Sequence, residues 1–406
     1  MKLAVLGTDD DMLRLGAAAR ESGHTIAWLG DVQPADVVPI AQVAPGLVDR
    51  SSEWELLLDH QVADAVLVGR GAATTELRAE QLRRLAAEAV PLLVVHPIFD
   101  SVLPYYELDM TRRETGCVLR HYNPLAGHPI LAELAECVRD GHPTIGPIYQ
   151  VTCERSLLDS SRISALRHLA GDVEILAATA GDIRRVTAIG PRAADKSFAS
   201  LQIQMSTSGS TSLRWSVRPS GGTADDFEMT LIGERGTVTL KVTNDSPPNR
   251  AAAWSLETIA SGEREFRPLE RFDAPQIALR QLAEAVATVD AEWRQSMSTW
   301  ESATRAMEVV DAAELSLEKG RTIEVYQQQL TERLAFRGTM AAFGCGLLLL
   351  AFAAVVGVTI LGGAEGAIGR RLVPFWPLAL LAVLSFFLVL QAVPLLVRKR
   401  KKSQPE

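Results

Sequence analysis

The sequence predicts an α/β fold joined to a second, α+β domain, on three observations. Through residues 1–120, short apolar runs alternate with amphipathic stretches. From about residue 185, runs of alternating polarity follow one another with only short turns between them. The last part of the chain holds two long uncharged stretches, at 338–364 and 372–397. The expected architecture is a Rossmann-like parallel-sheet domain over 1–120 and an open antiparallel-sheet domain over 121–330. Two transmembrane helices and a basic tail over 398–406 complete it.

The first element is Lys2-Leu3-Ala4-Val5-Leu6, an apolar run that reads as a strand. Gly7 and Thr8 form the turn, and Met12, Leu13, Leu15 and Ala18 mark one face of a helix. This order of strand, glycine turn and helix opens a dinucleotide-binding unit, in which free N–H groups at the helix N-terminus hold a pyrophosphate. Asp9, Asp10 and Asp11 stand at that terminus. Aspartates cap a helix and complement its dipole, and they repel a phosphate. NAD or NADP binding is therefore placed in doubt at the loop that should provide it.

The next elements keep the rhythm. His24 to Leu29 reads as a second strand closing on Gly30-Asp31. Asp31 sits where an acidic residue meets a ribose hydroxyl, and it is equally a common turn residue. Glu53 to Leu58 reads as a short helix, Ala65 to Val68 as a buried strand, Glu76 to Glu88 as a helix and Leu92 to Val95 as another buried strand. Unbroken apolar strands separated by helices imply a parallel sheet covered on both faces.

Further on, strands are expected at Ile148–Cys153, Arg185–Ile189, Ala199–Met205, Ser212–Val217, Phe227–Ile232 and Thr237–Val242. Leu201-Gln202-Ile203-Gln204-Met205 alternates strictly, which predicts an antiparallel sheet with one wet or partner-facing side. A second copy of the chain is the partner expected there. Ala274 to Val289 reads as an amphipathic helix. Ser298-Thr299-Trp300-Glu301 reads as a capping box opening a helix that ends at Lys319-Gly320.

Each uncharged stretch exceeds the roughly 20 residues that cross a bilayer. Only Glu365 to Arg371 separates them, so they predict a helical hairpin. Arg333 and Arg337 before it and Arg398-Lys399-Arg400-Lys401-Lys402 after it place both ends, and the soluble domains, on the cytoplasmic side of the membrane. Gly344-Cys345-Gly346 and Gly362-Gly363 would let another membrane protein pack closely. The formal net charge of −8 argues against a nucleic-acid partner. The four cysteines (Cys117, Cys137, Cys153, Cys345) form no C-x-x-C pair, so neither a zinc site nor a disulfide framework is expected. The opening residues do not read as a secretory signal.

Several segments, in order, resemble the Gfo/Idh/MocA family of oxidoreductases. Asp64 to Val68 resembles the family's third strand, and Val94-Val95-His96-Pro97 the strand that ends in its Glu-Lys-Pro motif. Gly141 to Gly146 followed by Pro147-Ile148-Tyr149-Gln150-Val151 resembles the passage into the second domain. Gly171-Asp172-Val173-Glu174 up to Gly181 resembles the His-x-x-Asp helix, and Ser316 to Ile323 the closing helix. The resemblance spans about 1–325 and implies an NAD(P)-dependent oxidoreductase acting on a sugar or cyclitol-like substrate.

Its functional positions are altered. The motif lysine falls on His96, the acid/base histidine on Gly171, its aspartate on Glu174, and a further histidine on Arg78. Glycine transfers no proton, while histidine can. His96 and His168 are accordingly the candidate catalytic residues, and Gly7, Thr8, Asp31 and Gly69 the candidate cofactor residues. Tyr122, Asn123 and Glu174 are the candidate substrate-side groups. His96 also reads as a satisfied strand-end histidine, His168 as an ordinary helix residue and Arg70 as a solvated loop arginine. His121, His128 and His142 cluster in sequence without metal-ligand spacing. Aspartates in the loop, His96 for lysine and Gly171 for histidine together suggest a membrane-anchored homologue with lost or altered catalysis. Its role would be binding or scaffolding, and an active oxidoreductase is the alternative.

Overall fold

The computed structural model describes residues 1–325, apart from 192–197, 199, 210, 222–224, 244–251 and 289–298. Both uncharged stretches and the basic tail lie outside the described residues. Among those described, no helix is long and apolar enough to cross a membrane.

The first half builds a five-stranded parallel sheet. Its strands are β1 (Lys2–Leu6), β2 (Thr25–Gly30), β3 (Ala65–Val68), β4 (Leu92–Val95) and β5 (Leu119–Tyr122). They lie in the order β2-β1-β3-β4-β5, so β1 is next to the edge and β5 is an edge strand. The intervening helices are α1 (Asp10–Glu21), α2 (Val37–Val43), α3 (Thr75–Ala87) and α4 (Leu103–Thr115). The stretch expected as a helix at Glu53–Leu58 is 3₁₀, over Ser51–Leu58.

Both faces of this sheet are dry, as its unbroken apolar strands require. Val66, Val94, Leu82, Tyr105 and Leu108 share one buried cluster with α3 and α4. Val5, Leu67, Leu93, Met12 and Leu15 share the other with Leu279 and Leu282 of α7 (Ala274–Ala287). A helix far along the sequence thus returns to cover the first sheet beside α1. Each such leucine or valine contributes about 1.5–3 kcal/mol by leaving water.

After α5 (Ile130–Asp140), the chain forms β6 (Ile148–Leu157), α6 (Arg162–Ala180), β7 (Ile183–Ile189), β8 (Leu201–Thr207) and β9 (Ser212–Pro219). It continues through β10 (Asp226–Gly233), β11 (Gly236–Thr243), β12 (Ala253–Ala260) and β13 (Glu263–Pro268). After α7 come α8 (Trp300–Lys319) and the short β14 (Ile323–Glu324). The nine strands lie in the order β13-β12-β11-β10-β6-β9-β8-β7-β14.

The sheet is mixed, which corrects the antiparallel expectation. β6 runs parallel to β9, with Cys153 opposite Trp215. The cause is α6, which carries the chain back across the sheet so that two antiparallel meanders flank β6. Val151, Cys153, Trp215, Met229 and Leu240 point to the face covered by helices and are buried. The other face is polar, with Thr230 and Thr239 hydroxyls 3.1 Å apart.

α8 joins the two halves. Trp300 is fully buried, stacks on Tyr105 of α4 at 4.9 Å, and donates from Nε1 to the Tyr105 carbonyl at 3.1 Å. Its N-cap is Thr299, which makes no side-chain cap bond; Ser298, the first residue of the expected capping box, lies outside the described residues. The Thr299 hydroxyl instead accepts the His121 N–H at 3.2 Å.

Candidate functional site

The C-terminal ends of β1, β2 and β3 carry the loops that would meet a dinucleotide. Asp9 caps α1, its Oδ1 accepting the Met12 N–H at 2.8 Å. Its Oδ2 accepts the Arg70 N–H at 2.9 Å and the Arg70 guanidinium at 3.1 Å. Asp11 lies 3.9 Å from the same guanidinium, and burial followed by the Asp9 charge raises its pKa. Asp10 is exposed. Arg70 also donates through Nε to the Pro97 carbonyl at 3.0 Å. It is therefore no solvated loop arginine: it holds the aspartates on one side and the end of β4 on the other.

Gly7, Thr8, Asp31 and Gly69 come together as expected, in direct contact with one another's loops. A Cβ on Gly7 would lie 2.5 Å from the Gly69 carbonyl oxygen, so the two backbones touch. Thr8 is fully buried, its hydroxyl accepting the Gln33 N–H at 2.9 Å. Gln33 Nε2 then donates to the Gly71 carbonyl at 2.9 Å. Asp31 holds a left-handed backbone, φ 57°. Its carboxylate accepts the Ala72 N–H at 3.1 Å, the Ala73 N–H at 3.3 Å and the guanidinium of Arg78. Arg78 is 2 % exposed and also donates to Gln81 at 2.9 Å and to the Arg70 carbonyl at 3.2 Å. Burial lowers the Arg78 pKa, and the Asp31 charge opposes that.

A second cluster forms where β4 and β5 end against α6. His96 is 4 % exposed, with Nδ1 3.2 Å from the Tyr105 hydroxyl. That hydroxyl also accepts the Ile98 N–H at 2.9 Å. Burial pulls His96 down to a pKa of about 4 against the opposing pull of Glu174. His121 stands edge-on to His96, ring centroids 5.5 Å apart, and its Nε2 meets Glu174 Oε1 at 2.6 Å. Asn123 donates to Glu174 Oε2 at 2.8 Å and to the Gly171 carbonyl at 2.9 Å. Burial alone would raise the Glu174 pKa, but His121, then His96 and Asn123, bring it down to about 2.

Three candidates from the sequence, His96, Asn123 and Glu174, thus share one cluster. Two do not join it. His168 pairs with Asp225 at 3.6 Å, and burial followed by Arg155 repulsion lowers its pKa to about 4. It borders a buried ion pair, Arg155 Nε to Asp172 at 2.8 Å, that the Trp215 indole completes at 2.8 Å. Tyr122 packs in the opposite cluster with Met12 and Leu279, where burial and then Asp11 raise its hydroxyl's pKa. Sequence reasoning passed over His121 and Tyr105 as site residues. Strand alternation carried the signal for His121, since it puts His121 and Asn123 on one face and Arg120 and Tyr122 on the other. Among the described residues, no group of three or more metal-ligating side chains converges.

Comparison with known proteins finds no matching family model and no matching curated sequence. Solved structures do match. A 3-ketoreductase from Actinomadura kijaniata in complex with NADP superposes with a TM-score of 0.61 at 18% identity, over 78% of this chain and 97% of that one. A levoglucosan dehydrogenase in complex with NADH gives 0.62 at 13%, over 80% and 99%. An oxidoreductase from Agrobacterium radiobacter in complex with NAD+, L-tartaric acid and magnesium gives 0.55 at 14%, over 80% and 98%. The chain shares its fold with these oxidoreductases. At these identities the likeness concerns the fold alone.

Proposed function

We propose that this chain uses an oxidoreductase-type fold as a binding or scaffolding module whose hydride chemistry is lost or altered. The observation that carries the reading is the loop set at β1, β2 and β3. A dinucleotide there needs free N–H groups at the start of α1 and a free carboxylate at the end of β2. Asp9 occupies the Met12 N–H, the third of the helix, with its own side chain. Both oxygens of Asp31 are engaged by Ala72, Ala73 and Arg78. The residues present do not fit NAD or NADP in that position. Gly171, where the family resemblance asks for a proton-transferring histidine, is consistent with the same reading.

Anchoring belongs to the same proposal. The uncharged stretches 338–364 and 372–397, flanked by basic residues, would hold the module at the cytoplasmic face of a membrane. A cysteine placed at Ser403 should react with a membrane-impermeant reagent only after permeabilisation; labelling from outside would reverse the orientation.

Thermal melting of the full-length chain with NAD(H) or NADP(H) tests the central claim, because a ligand that binds only the folded state must stabilise it. The expected result is an unchanged melting temperature up to millimolar cofactor. A shift that saturates at micromolar cofactor would favour the alternative, an NAD(P)-dependent oxidoreductase using His96.

A further inference from the structure

A cavity beside the His121, Asn123 and Glu174 cluster leaves charge unanswered. A cavity of about 430 Å³ lies where edge strand β5 meets α6, α7 and α8. Val173, Ala177, Ile277 and Val309 contribute its apolar wall, and Glu308 lines it as well. The Tyr106 hydroxyl donates to Glu308 Oε1, but among the described residues the buried Oε2 has no hydrogen-bond partner. One turn further along α8, Asp311 accepts only the Val102 N–H, at 3.4 Å, and its Oδ1 is likewise buried and unpartnered.

The other charged groups at the cavity are answered. Glu174 is held by His121 and Asn123. Arg305 is held by Asp182 at 3.3 Å and Glu301 at 2.7 Å, and Arg120 donates to Gln281 at 2.7 Å. Among the described residues, one oxygen of Glu308 at this cavity is left without a donor. Burial raises Glu308 to a pKa of about 7 and Asp311 to about 6, as expected for carboxyls without a nearby free cation.

From this geometry we infer that the cavity binds a small aliphatic amine. Its ammonium would meet Glu308 and its hydrocarbon would lie on Val173, Ala177, Ile277 and Val309. An ammonium offers three donors and no acceptor, and a charge-assisted bond to a buried carboxylate is stronger than a neutral one. A carboxylate-bearing ligand would face Glu308 and be repelled. The inference is independent of the dinucleotide reading, since the cavity lies apart from the β1, β2 and β3 loops.

Calorimetry on the full-length protein at about pH 8, where Glu308 is ionised, compares hexylamine with 1-hexanol. Hexylamine should bind about tenfold more tightly. Glu308→Gln removes an unpaired buried charge, keeps the fold, and should abolish that preference. Ala177→Leu narrows the cavity and should weaken both probes. Four results would each overturn the inference: no binding of either probe at millimolar concentration, equal binding of both, an amine preference that survives Glu308→Gln, or full amine affinity in Ala177→Leu.

Discussion

The loops at the ends of β1, β2 and β3 and the α4–α8 contact both bury carboxylates, and they do so in opposite ways. In the loops, Asp9 and Asp31 are answered by Arg70, Arg78 and backbone N–H groups, so nothing is left over for a guest. Between α4 and α8, Glu308 and Asp311 each keep an oxygen without a partner. The difference teaches where this molecule has room for chemistry. A polar site that satisfies itself is rigid and closed, whereas one that is short of donors favours whatever brings them.

Substitutions can break the comparison from either side. Arg78→Met should cost the most, about 3–5 kcal/mol in urea denaturation, because it strands Asp31 beside a buried hole. If it costs under about 1 kcal/mol, the loop set is not closed by that pair. Glu174→Gln should cost about 2 kcal/mol, since it removes a buried charge-assisted bond to His121. The depressed Glu174 pKa also sets a sign: the stability it contributes is present above about pH 4.5 and is lost as pH falls toward about 2. Flat acid stability down to about pH 3 would contradict that pairing.

Asp9→Ala should cost about 1 kcal/mol, the value of an N-cap, read as a lowered melting temperature. The smallest effect sharpens the other side. Glu308 has a raised folded pKa, so the folded state holds its proton longer than the unfolded chain does. Stability should therefore decline as pH rises from about 4.5 to about 7 and level off above. Glu308→Gln should flatten that decline and add on the order of 1 kcal/mol above neutral pH, as measured by denaturation at several pH values.

Much of this fold was legible because its causes are local. Leu92 to Val95 and Ala65 to Val68 are apolar without interruption, and that pattern stands for burial on both faces. The alternation of Leu201 to Met205 equally marked a one-sided strand. β13 was missed because Glu263 to Pro268 is exposed throughout and holds no apolar period, whereas β12 was missed although Trp254 and Leu256 alternate into the core. The parallel pairing of β6 and β9 depends on where α6 returns the chain, which no window of sequence contains.

The site was legible in its parts and hidden in its pairings. Gly7, Thr8, Asp31 and Gly69 fell together as the glycine-turn pattern implied. That Asp31 would spend both oxygens on Ala72, Ala73 and Arg78 depends on distances across three loops. Glu174 was found by alignment to a motif, while its partner His121 lies on another strand and needed the fold to bring it near.

The stack of Trp300 on Tyr105 has a consequence for how the protein is made. The Tyr105 hydroxyl meets His96 Nδ1, and Trp300 packs over Tyr105 from α8, late in the sequence. A nascent chain leaving the ribosome can form the first sheet early, but its exposed Tyr105 waits for α8 before it is covered. Chains stalled or cleaved before Trp300 should therefore expose an aromatic patch and be handed to chaperones or proteases, even though most of their parallel sheet is already built.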